Sequence, residues 1–165
     1  MNGRSAARIV DIYPRRIPRV SVHGHARVHP CRCCGAGREP RWLTDTLLRT
    51  LAELHADGWA HSIEVWLGDT LAGGAIGIGI GGVISGESLF GRHQGAARVA
   101  VADMAARLEL AGGLLIDAQW DSPFLRSLGA EPVPREHYLP LLGHRAERIA
   151  LPAGPLPTRR LLGPG

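Results

Sequence analysis

Leu47, Leu48, Leu51 and Leu54 recur at helical spacing behind Thr44, whose hydroxyl suits a helix N-cap, and Asp57-Gly58 supplies the stop. The period then changes. Across 61–67 apolar and polar residues alternate, with Ile63, Val65 and Leu67 on one face and Ser62, Glu64 and Trp66 on the other, which predicts a strand. Gly68-Asp69 is a hairpin signal, and 71–80 follows as a second strand with Ile76, Ile78 and Ile80 on one side and Gly77 and Gly79 on the other. Strand glycines leave that side bare, so another element or a ligand packs closely there. After Gly81-Gly82 a third strand spans 83–88. Ala97, Val101, Met104, Ala105 and Leu108 space an amphipathic helix over 95–110, closed by Gly112-Gly113. Leu114, Leu115 and Ile116 form a buried strand ending at Asp117. A short helix over 123–128 stops at Gly129, and a last helix after Pro134 carries Tyr138, Leu141 and Leu142.

Before Trp42 the pattern is weak: Arg, His, Pro and Gly dominate, with one alternating stretch at 19–28 that fits a strand. From Leu151 the run LPAGPLPTRRLLGPG is too rich in Pro and Gly for regular packing. The chain therefore divides into an arm (1–41), an ordered domain (42–150) and a flexible tail (151–165). The order α, β, β, β, α, β, α, α predicts an α/β sandwich with a mixed, largely antiparallel sheet.

The 165 residues suffice for one domain, and no apolar run is long enough to span a bilayer. The start lacks a signal-type apolar segment, so a cytoplasmic location with no membrane partner is expected. Residues 1–41 hold nine arginines against Asp11 and Glu39, net +7, whereas the remainder is net −3. Such an arm suits an acidic partner such as nucleic acid, or is simply solvated. All nineteen basic residues are arginine, which excludes a lysine nucleophile or a Walker-type phosphate lysine.

Gly77, Gly79 and Gly82 match G-x-G-x-x-G, but a strand follows where the dinucleotide motif requires a helix. Arg92-His93-Gln94-Gly95-Ala96-Ala97 does open a helix after a strand, the setting of a coenzyme A pyrophosphate loop or of an ordinary helix start. His23, His25, His29, Cys31, Cys33 and Cys34 crowd twelve residues without a zinc-type spacing, and no metal is expected. Glu87 ends one strand; Asp117 and Gln119, two residues apart and so expected on one face, end another. Asp117 also fits as the cap of the helix beginning near Ser122, and Glu64 as a solvated strand residue.

HSIEVW (61–66), the glycine run at 73–77, GESLF (86–90), LIDAQ (115–119), LRSLGA (125–130) and VPREHYL (133–139) together resemble the leucyl/phenylalanyl-tRNA-protein transferase family. The resemblance covers residues 42 to 142. It implies a GNAT-like (acyl-CoA N-acyltransferase-like) domain and a reaction with no cofactor. Leu or Phe moves from aminoacyl-tRNA to the α-amine of a protein or peptide beginning with Arg or Lys. The family's carboxylate and amide fall on Asp117 and Gln119, its GES glutamate on Glu87, and its tryptophan before the first helix on Trp42. Gln119, polarised by Asp117, would accept a hydrogen bond from the attacking amine. Ala75, Ile76, Ile84, Leu108 and Ile116 fall on the pocket for the donor side chain, and Ser88 and Arg98 count as substrate-binding. Ala75, Ile76 and Ile84 replace the family's Leu/Met, Tyr and aromatic residue, which implies a reshaped pocket. Arg98 replaces a lysine, Ala118 a cysteine and Phe124 a histidine. Nothing in 1–41 matches the family's amino-terminal segment, which implies a misplaced start or a short paralogue. The competing readings are an acyl-CoA N-acyltransferase and a non-catalytic tRNA-binding paralogue.

Overall fold

The computed structural model describes residues 19–22, 43–143, 148–157 and 161. In chain order the elements are β1 (Arg19–Val22), α1 (Asp45–Ala56), β2 (Ala60–Leu67), β3 (Thr70–Ile80), β4 (Val83–Gly91), α2 (Ala96–Leu110), β5 (Leu115–Asp117), α3 (Pro123–Arg126), α4 (Arg135–Leu142) and β6 (Gly154–Pro157). They form an α/β domain whose open six-stranded sheet has the order β5-β4-β3-β2-β1-β6. Among the described residues only the β4–β5 pair is parallel.

Thr44 caps α1 by accepting the Leu47 N–H at 3.2 Å, as its position predicts. α1 lays Leu47, Leu48, Leu51 and Leu54 on the sheet face that carries Ala60, Ile76 and Ile78. α2 covers the other face, where Ile63, Val65, Ala75 and Ile84 meet Ala96, Val99, Ala100, Met104 and Leu108. The bare glycine side of β3 belongs to α2 and not to a ligand: a Cβ on Gly73 would lie 2.7 Å from the Ala96 methyl. One on Gly77 would overlap the Ile84 side chain.

The tail differs from its sequence reading. Gly154–Pro157 is a strand, antiparallel to β1 at the sheet edge, and Ile149 and Leu151 are buried core residues. An edge strand tolerates Pro155 and Pro157 because half of its N–H groups need no partner. The buried Arg107 guanidinium pins the segment: it binds Asp103 at 2.6 Å, the Gly154 carbonyl at 3.0 Å and the Pro152 carbonyl. The two carbonyl bonds span 45 and 47 residues in sequence and leave no local pattern. Within the stretch read as an arm, Arg19–Val22 is a strand between β2 and β6.

Candidate functional site

The parallel edge of the sheet is set by registers Ile84 against Ile116 and Ser85 against Asp117. In β4 the pairing with β3 shifts, because Ile76 faces Ser88 whereas Gly77 faces Gly86. Glu87 is the extra residue of this bulge, so its side chain is re-aimed without any ladder partner to constrain it. It turns to Ser85, whose hydroxyl donates to Glu87 Oε1 at 2.9 Å.

β5 ends at Asp117, so Gln119 lies beyond the strand and the expected sharing of one strand face does not hold. The two side chains are brought to one place by a turn instead. Asp117 Oδ1 accepts the backbone N–H of Gln119 at 2.8 Å, and Gln119 sits at φ +62°, the one non-glycine residue at positive φ among the described residues. That conformation swings the amide back over β4, where Nε2 donates to Ser85 Oγ at 3.1 Å and to Glu87 Oε1 at 3.2 Å. A carboxylate only accepts, so Glu87 fixes which way the amide points and leaves Gln119 Oε1 as the acceptor. Asp117 therefore holds the Gln119 backbone and does not touch its side-chain amide; the group bonded to the amide is Glu87. Ser122 itself caps α3, accepting the Leu125 N–H at 3.2 Å, so the capping role also open to Asp117 is taken.

Tyr138 closes the cluster by donating its hydroxyl to Asp117 Oδ2 at 2.9 Å. Burial first, and the Asp117 carboxylate second, push the phenol pKa up, so it stays a donor across the neutral range. α4 reaches this position because Gly82 N–H donates to the Leu141 carbonyl at 2.8 Å and Gly81, at φ +59°, lies against the Leu142 carbonyl with no room for a side chain. Ser85 and Tyr138 were not identified from sequence. Tyr138 lies 21 residues from Asp117, and no spacing rule connects them.

The expected pocket residues divide between the two faces. Ala75, Ile84 and Leu108 are closed core residues, 6, 0 and 3% exposed, and Ile116 packs against them under α2. Ile76 faces the other way, into the α1 cluster, because neighbours in a strand alternate. The polar cluster shares that α1 side, since Ser85 pairs with Ile78. Apolar and polar groups meet at the outer edge of β5, where Ile116 and Asp117 are consecutive and both half-buried. Ser88 lies beside Glu87, opposite Ile76. Arg98 stacks over the Phe124 ring at 5.2 Å, so the two replaced family positions contact each other. Trp42 and the His/Cys group at 23–34 lie outside the described residues.

The loop before α2 is an ordinary helix start by its hydrogen bonds. The N–H groups of Arg92 and His93 donate to the Ala72 carbonyl and that of Ala96 to His93, so three amides of a would-be phosphate cradle are already used. Gly95 is needed for its φ of +81°, not for close approach.

The family model described as leucyl/phenylalanyl-tRNA protein transferase matches residues 22–143. That match begins some twenty residues before Trp42, and therefore includes part of the arm that short motifs left unmatched. The chain is similar to the leucyl/phenylalanyl-tRNA–protein transferase of Afipia carboxidovorans, 41% identical over 127 residues, covering 74% of this chain and 56% of the relative. The corresponding protein of Ruegeria sp. TM1040 is 42% identical over 103 residues, covering 62% and 49%. That of Phenylobacterium zucineum is 38% identical over 135 residues, covering 82% and 61%. The chain spans about half the length of the curated relatives it matches.

Proposed function

The chain belongs to the leucyl/phenylalanyl-tRNA protein transferase family, and from that premise we propose that it transfers an amino acid from aminoacyl-tRNA to the α-amino group of an acceptor protein or peptide. The single observation that carries the reading is the Gln119 amide, held by Glu87 and Ser85 so that its carbonyl oxygen is the acceptor. An α-amine has a pKa near 8, so roughly a tenth of it is neutral at pH 7. The neutral nitrogen attacks the ester carbonyl, forming a C–N bond; the C–O bond to the ribose breaks, and the amine proton ends on the ribose oxygen. Gln119 Oε1 accepts a hydrogen bond from the amine as its positive charge develops. Glu87 supports this by accepting from the same amide, which raises electron density on the carbonyl oxygen. Asp117 and Tyr138 are positioning residues, because they fix the turn on which Gln119 stands.

An aminoacyl ester is already activated, so positioning and charge stabilisation are sufficient catalysis, with no strong base required. The acceptor's amino-terminal Arg or Lys is read as lying toward Glu87. The donor side chain is read as entering at the edge of β5 beside Ile116, over Ala75, Ile84 and Leu108. Ile76 faces away from that entry and acts only through the packing under α1. The GNAT-like assignment is supported by the open mixed sheet and by α2 leading into the parallel strand β5.

Incubation with a total pool of tRNA charged with radiolabelled amino acids, and a peptide beginning with Arg, tests the proposal. Label in the peptide, with its identity read by hydrolysis, is the expected result. Acetylation of the peptide from acetyl-coenzyme A, with no label taken from tRNA, overturns it.

A further inference from the structure

Oε1 of Glu87 already accepts from the Ser85 hydroxyl and the Gln119 amide. One other carboxylate of the described strands stands outside that cluster, Glu64 of β2. The registers Ser62–Ile76–Ser88 and Glu64–Gly74–Phe90 cross β2, β3 and β4 two residues apart, so Glu64 and Phe90 lie on the face that carries Ile76, Ser85 and the Gln119 amide. α1 covers Ile76 and Ile78, whereas Phe90 belongs to neither apolar cluster. Gly74 puts no side chain between Phe90 and Glu64, and the ring leans into that space: a Cβ on Gly74 would lie 2.8 Å from it. Trp66 Nε1 donates to Glu64 Oε2 at 3.0 Å and fixes the carboxylate, which is half-buried and, among the described residues, in no ion pair. Resting on the transfer reading above, we infer that Glu64 selects the acceptor by its first side chain, taking the guanidinium or ammonium group of an amino-terminal Arg or Lys whose methylene stem crosses Ser88 and Phe90.

Charge, shape and reach agree. A half-buried carboxylate whose second oxygen has no donor among the described residues attracts a cation more strongly than an exposed one does. The neighbouring ring suits the stem of a basic side chain, whose methylenes pack on apolar surface while the charged head stays with a polar partner. Phe90 also tolerates a guanidinium over its face, as Arg92 shows at 6.0 Å. β2 lies two strand spacings, about 10 Å, from β4. With the α-amine at Gln119 Oε1, above β4, a side chain as long as Lys or Arg meets Glu64 and a short one does not. Glu87 then serves the amine and the amide, and Glu64 reads the residue.

Transfer from saturating charged tRNA to peptides that differ only in their first residue tests this. The first residues are Arg, its neutral isostere citrulline, and the shortened homologue 2-amino-3-guanidinopropionate, and wild type is compared with Glu64→Gln after both are checked by thermal melting. Glutamine still accepts from the Trp66 indole, so the variant is expected to fold. Wild type should prefer Arg over citrulline in kcat/KM by roughly ten- to a hundredfold, the worth of one hydrogen bond between charged groups, carried by the peptide KM. In Glu64→Gln that preference should fall to within about twofold. The shortened homologue should be used by wild type no better than citrulline, a result that does not depend on the variant folding. An Arg preference that survives in Glu64→Gln, an equal loss with both peptides, a wild type indifferent to the charge, or a shortened homologue used as well as Arg overturns the inference alone. A folded wild-type protein that transfers nothing to any of the peptides overturns the transfer reading and this inference with it.

Discussion

Gln119 occupies a backbone conformation that costs a non-glycine residue about 1 kcal/mol, and it is retained because the three hydrogen bonds it donates, to Asp117, Ser85 and Glu87, all require it. The strain lies where the chemistry is proposed, and it gives Glu87 its own prediction. Glu87→Gln leaves the fold intact but lets the substituted amide compete as a donor, so the Gln119 carbonyl loses both its polarisation and its fixed direction. The rate of transfer should fall roughly ten- to a hundredfold, comparable to one charge-assisted hydrogen bond, when measured at saturating donor and acceptor. At this scale Asp117, Gln119 and Glu87 stand out in the sequence as polar groups ending apolar strands, with a helix cap also open to Asp117, and only the family resemblance joins them in one site. It did not reveal how they connect. The Asx turn at Asp117, the bulge at Glu87 and the reach of Tyr138 depend on φ angles and on contacts 20 to 35 residues apart in sequence.

The helices and strands were legible where their surfaces are simple. α1, β2, β3 and β4 follow from the leucine spacing, the alternation and the glycine turns. α2 lies where the spacing predicts and buries Met104 and Leu108 as read, but Ala97, Val101 and Ala105 are only half-buried. The stripe runs through Ala96, Val99, Ala100, Asp103, Met104, Arg107 and Leu108, and the buried Asp103–Arg107 pair hides two of its positions from a hydrophobicity pattern. The same pair anchors β6, which is why the tail read as irregular is a strand. Gly81 joins α4 to the β3–β4 turn, and Gly68 provides the comparison. Both have φ near +59°, but a Cβ at Gly68 meets nothing within 4 Å whereas one at Gly81 overlaps the Leu142 carbonyl. Gly68→Ala should therefore cost about 1 kcal/mol, and Gly81→Ala roughly 2 to 4 kcal/mol with a loss of transfer as Tyr138 is displaced. Denaturant unfolding and the transfer assay read the two effects.

For the molecule as a whole, both faces of one sheet are covered by helices, and the polar cluster is left at the parallel edge. Length predicted one domain and the order of elements the α/β class, but neither showed that Arg19–Val22 and Gly154–Pro157 pair as adjacent strands β1 and β6. His61 connects that arrangement to pH. It is buried near Ile149 and Gly79, and burial, then the neighbouring His55, depress its pKa against a smaller opposing backbone bond. The unfolded chain takes up its proton near pH 6.5 while the folded one still resists. Stability is thus full above about pH 6.5 and falls as pH drops through that value toward the depressed folded one. Unfolding midpoints measured between pH 8 and 5 should decline, and less steeply in His61→Gln.

The central claim is that the turn built on Asp117 presents Gln119 for aminoacyl transfer from tRNA. Its most direct test is the rate of label transfer from charged tRNA to an Arg-initiated peptide by wild type and by Asp117→Ala, both shown to be folded. The account predicts transfer by wild type and a loss of at least about a hundredfold in the variant, because both the turn and the Tyr138 bond are removed. Wild-type rates in Asp117→Ala, or no transfer by the folded wild type, would contradict it.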